Sequence, residues 1–120
     1  MAAVTPILRI FDTEKAREFY IDFLGFEVVF EHRYGEEFPL YMGIRREGVD
    51  LHLSEHHGDA APGAHVRIAV TGLADWTVRL RAANYRYARP GEPRATPWGT
   101  TEITITDPFA NRLTFVETAG

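Results

Sequence analysis

"PWGTTEITITDPFANRLTF" occupies residues 97–115 and contains the fold's most legible local pattern. "TTEITIT" alternates and is rich in β-branched residues, as a half-buried strand requires. Asp107, Pro108 and Asn111 then supply turn chemistry, and "NRLTFVE" returns as the second arm of a hairpin. Upstream, "HVRIAV" reads as a strand with Val66, Ile68 and Val70 on one face. "TGLADWTVRLRAANY" reads as a helix whose buried stripe is Leu73, Trp76, Thr77 and Leu80, ended by Asn84. The irregular "YARPGEPRATPWG" leaves room for one short strand at most.

The same order is present in the first half. "VTPILRI" is a short β-rich segment. In "DTEKAREFYIDFLGF", Asp12 is placed to cap a helix, and Ala16, Phe19, Tyr20, Phe23 and Leu24 recur at helical spacing before Gly25 ends it. Phe26, Val28 and Phe30 then alternate with Glu27, Val29 and Glu31. "LYMGIRREGVDLHLSE" predicts a hairpin around Glu47-Gly48, with Val49, Leu51 and Leu53 opposite Asp50, His52 and Ser54. "HHGDAAPGA" separates the halves as a linker. The reading is one α+β domain over residues 1–120, built from two βαβββ modules at about 1–57 and 63–120. Two such curled four-stranded sheets, each with a helix outside, can enclose a cleft for a small ligand.

Composition narrows the function. The chain has 17 acidic against 13 basic residues, and Lys15 is its single lysine, so nucleic acid is not an expected partner. No apolar run approaches the ~20 residues that cross a bilayer, and "MAAVTPILRIFD" does not resemble a signal peptide, so a cytoplasmic location away from membranes is expected. The absence of Cys removes thiolate chemistry and disulfides. Ser54 near His56 gives no triad pattern, and "GEPRATPWG" lacks the context of a nucleotide loop.

The module order, "FY.DFLGF" at the first helix and "PWG.....I.DP..NRLTF" near the end resemble the glyoxalase/bleomycin resistance/dioxygenase superfamily over the whole chain. The "PWG" placement together with "LHLSEHHGD" resembles the bleomycin resistance proteins within it. The resemblance implies that the superfamily's four metal-ligand positions fall on Thr5, His52, His65 and Thr114. A catalytic divalent site needs about three imidazole or anionic oxygen ligands, and threonine hydroxyls are poor substitutes. No metal, cofactor or catalytic residue is therefore expected. His52 and His65 read either as polar cleft wall or as a residual two-His site, and His56 and His57 as a solvated linker. Glu117, three residues past Thr114, falls on the opposite strand face.

The resemblance further implies a homodimer, with first strands swapped between subunits, that holds a bleomycin-family antibiotic in a groove at the dimer interface without catalysis. The ligand-binding residues it implies are Phe30, Phe38, Tyr41, His52, Ser54 and Trp98. Phe30 equally fits core packing, because it continues the alternation of Phe26 and Val28, and Trp98 equally fits an edge of the core. The alternative function is a metal-dependent lyase, dioxygenase or thiol transferase of the same superfamily.

Overall fold

Three consecutive strands and one earlier strand make each of two sheets, in the same spatial order. The computed structural model describes residues 2–118. The first sheet runs β1 (Ile7–Arg9), β4 (Val49–Ser54), β3 (Tyr41–Arg46), β2 (Glu27–His32). The second runs β5 (His65–Ala69), β8 (Arg112–Thr118), β7 (Thr100–Thr106), β6 (Arg94–Ala95). In both sheets the first strand joins the last in parallel and the other neighbours are antiparallel. Helix α1 (Thr13–Ala16, continued by Arg17–Phe23) follows β1, and α2 (Leu73–Ala82) follows β5. The βαβββ order thus occurs twice, as the sequence predicts.

Local chemistry sets the boundaries. The Asp12 carboxylate accepts from the Lys15 amide at 2.9 Å and opens α1. This helix is α-helical over Thr13–Ala16 and continues over Arg17–Phe23 with a wider turn, in which the Leu24 amide reaches the Phe19 carbonyl at 3.0 Å. Gly25, at φ +88°, takes the left-handed conformation that ends it. At α2 the side chain that caps the start comes from far away. Glu117 on β8 accepts from the Gly72 and Leu73 amides at 2.8 and 3.2 Å. The carboxylate lies at the positive end of the helix and satisfies two free donors there.

Alternation along the strands sends one side of each sheet inward. Met42, Ile44, Leu51 and Leu53 of the first sheet share a buried cluster with Phe19 and Tyr20 of α1 and with Leu24 at its end. Ile103, Ile105, Leu113 and Phe115 of the second do so with Leu73, Trp76 and Leu80 of α2. The two halves meet in one continuous core. Their polar link is the Tyr20 hydroxyl, which donates to Asp107 at 2.6 Å, and Asn111, which donates to both Asp107 and the Arg9 carbonyl. Arg46 also stacks on the Trp76 ring, 4.2 Å from its centroid.

The other side of each sheet stays open. The two sheets do not close on each other within the chain, so the cleft expected from the sequence is two uncovered faces here. Among the described residues no helix is long and apolar enough to cross a membrane.

Candidate ligand-binding site

The open face of the first sheet carries an aromatic wall, and a break in strand pairing puts it there. Val28 pairs with Ile44, but Phe30 pairs with Gly43, so the register shifts at Val29. A bulge of this kind moves every later side chain to the other face. Phe30 therefore leaves the core side of Phe26 and joins the open side, where it is 40% exposed. The alternation of Phe26, Val28 and Phe30 in the sequence does not survive this shift.

Gly43 completes the arrangement. A Cβ at this position would overlap the Phe30 ring, so the ring lies directly on the glycine backbone. Tyr41, two residues earlier on β3, stacks beside Phe30 with ring centroids 6.2 Å apart and planes tilted by 15°. His52 on β4 stands edge-on to both rings at 5.2 Å. Its Nδ1 is hydrogen-bonded to the Tyr41 hydroxyl at 2.7 Å, which fixes the imidazole plane. Phe30, Tyr41 and His52 are thus brought together.

The remaining candidates lie apart from this wall. Ser54 is fully buried, and its hydroxyl donates to Asp59 at 2.6 Å while accepting from the His56 amide. It shapes the turn after β4 and presents no free donor to a ligand. Phe38 lies in a separate depression with Phe11, Arg33, Pro39 and Glu55. Trp98 stands beside the second sheet, exposed and just ahead of Gly99.

Trp98 belongs to a polar network that its sequence context does not announce. Its indole N–H points to Glu102 at 3.4 Å. Both Glu102 oxygens accept from Arg67, at 3.2 and 2.6 Å, and the Thr100 hydroxyl adds a third donor at 2.7 Å. Arg67 first and Thr100 second hold the Glu102 carboxyl down at about 2. Strand parity already places Glu102, Thr104 and Thr100 on one face. What the sequence withholds is the partner from β5, which depends on tertiary pairing.

The four ligand positions that the resemblance implies do not form a metal set. Thr5 precedes β1 and is exposed, while His52 is committed to Tyr41. Thr114 is buried, bonded to His65 Nε2 at 2.7 Å and to the Thr104 hydroxyl at 2.8 Å. Two imidazoles and two neutral hydroxyls, with no carboxylate among them, do not fit a divalent catalytic site. Among the described residues no three His, Asp or Glu side chains are placed to share a cation. Glu117 cannot slide into the set, because it faces α2 and caps it.

Comparison with known proteins agrees with this architecture. A family model described as glyoxalase superfamily protein matches residues 1–120. Among curated proteins there is no significant match. Solved structures of similar shape include a bleomycin resistance determinant encoded on the transposon Tn5, with TM-score 0.77, 23% identity and 98% of each chain covered. A bleomycin-binding protein complexed with bleomycin gives TM-score 0.74 at 24% identity, covering 98% of this chain and 99% of that one. TnmS3, an antibiotic binding protein from Streptomyces sp. CB03234, gives 0.76 at 19% identity, covering 99% and 98%. At such identities the likeness establishes the shared fold.

Proposed function

The chain belongs to the glyoxalase superfamily, and from that premise we propose that it is a binding protein of the bleomycin resistance type. It captures a bleomycin-like antibiotic, or another flat amphipathic molecule, without converting it. The observation that carries this reading is the wall of Phe30, Tyr41 and His52 on an otherwise open sheet face. Aromatic rings held at fixed angles suit stacking on planar heterocycles, each contact contributing about 0.5–1.5 kcal/mol beyond buried area. The hydroxyl-filled ligand positions argue against metal chemistry at the same place.

In this reading the working form is a homodimer in the cytoplasm. Ile7 and Phe30 leave apolar surface on the first open face, and Trp98 does so beside the second. A second copy would cover both and turn them into grooves. Strand β1 suits an exchange between copies: it is three residues long, follows Pro6, and is held by parallel pairing to β4. The partner's β1 would occupy the same register. Phe38 and Ser54 enter this proposal as groove rim and buried support.

Calorimetric titration with bleomycin tests the proposal, with light scattering on the same sample. A dimer binding one drug per chain is expected, with affinity reduced about tenfold or more in Phe30→Ala and in Trp98→Ala. A monomer that binds normally would remove the interface groove. Unchanged affinity in both variants would remove the aromatic wall as the binding element.

A further inference from the structure

We propose that the depression bounded by Phe30, His32, Tyr34, Tyr41, His56 and Asp59 is a distinct subsite for the charged end of an organic cation. The inference rests on the binding role above and specifies the charge of what is bound. The bulge at Val29 is its origin, because it puts His32 as well as Phe30 on the open face. Tyr34, on the loop after β2, stands perpendicular to His32 with centroids 4.7 Å apart, and to His56 at 6.3 Å. His56 is thus turned toward this ring rather than being a free linker residue. The stacked Phe30 and Tyr41 rings and the Tyr34 phenol line one space.

Ring faces carry negative potential and attract a cation, more strongly where water is excluded. The one full charge on the wall is also negative. Asp59 is held by the Ser54 hydroxyl at 2.6 Å through Oδ2, and Oδ1 accepts from no donor among the described residues. Its field reaches the rings: burial first, and Asp59 second, push the Tyr41 hydroxyl upward. Neither Lys nor Arg lines the depression. Carboxylate plus aromatic faces without a competing cation is the chemistry that recognises an alkylated ammonium or guanidinium.

The test uses two small probes at about pH 8, above the ordinary imidazole range. One is choline, and the other is its uncharged isostere with a tert-butyl group in place of trimethylammonium. Binding is read from chemical shifts of the protein amides. Choline should bind at least ~10-fold more tightly than the alcohol, with shifts centred on residues 30–34 and 56–59. Asp59→Asn keeps an acceptor for Ser54, and should abolish most of that preference without weakening the alcohol. Tyr34→Ala, at an exposed loop position, should weaken choline as well. Equal binding of the two probes, no choline binding, or a preference indifferent to Asp59→Asn would overturn the subsite. Trp98→Ala reports separately: it should impair bleomycin capture and leave the choline preference intact. Choline selection without bleomycin binding would uphold the subsite and sink the antibiotic assignment.

Discussion

Gly43 is a buried glycine on a central strand with a phenyl ring resting on it. A methyl group there must push Phe30 away, since backbone cannot retreat in a paired strand. Gly43→Ala is therefore expected to lower affinity for bleomycin about tenfold, with a stability cost of roughly 1–3 kcal/mol from overpacking. Titration calorimetry and urea denaturation measure the two effects. Wild-type affinity in this variant would show that the Phe30 ring position is irrelevant to capture. At this scale the sequence is legible where one residue answers one need, as with Gly25 ending α1 or Asn84 ending α2 at φ +54°. It misleads at Phe30. The alternation Phe26, Val28, Phe30 is a sound strand signal, and only the extra residue at Val29 moves the last member to the other face. A bulge leaves no reliable mark in composition.

The elements α2 and β7 show how long-range partners finish what local propensity begins. The apolar stripe of α2 is readable from spacing, and Leu73, Trp76, Thr77 and Leu80 are all buried. Its cap is not, because Glu117 lies forty-four residues beyond Leu73 in the chain. Glu117→Ala should destabilise the fold by about 1–2 kcal/mol in chemical denaturation while leaving the binding faces unchanged. On the second sheet, the Arg67–Glu102 pair makes stability depend on acid. The folded carboxyl titrates at about 2, well below the ordinary 4.5. The unfolded chain thus takes up the proton first as pH falls. The pair's contribution is present above the ordinary carboxylate range and is lost as pH falls through it toward about 2. Stability measured by denaturant between pH 5 and 3 should fall more steeply in the wild type than in Glu102→Gln. Identical slopes would mean that Glu102 is not held in this pair.

At the scale of the whole molecule, duplicated module order was legible, because two helices at matching places between β-rich segments admit few arrangements. The joint between modules was not. Tyr20 and Asp107 stand eighty-seven residues apart, and their buried hydrogen bond ties α1 to the final turn. Tyr20→Phe leaves the Asp107 carboxylate with its turn amides and Asn111 but without the phenol. A loss of about 1.5–3 kcal/mol in unfolding free energy is expected, with both modules still melting in one transition.

In the proposed function, capture uses ring surfaces and not a coordinated ion. Titration of bleomycin into protein stripped of metal by chelator, repeated with zinc or nickel restored, tests it most directly. We expect one drug bound per chain with the same affinity in both titrations. Binding that appears only when the metal is returned, or no binding in either, would contradict the account.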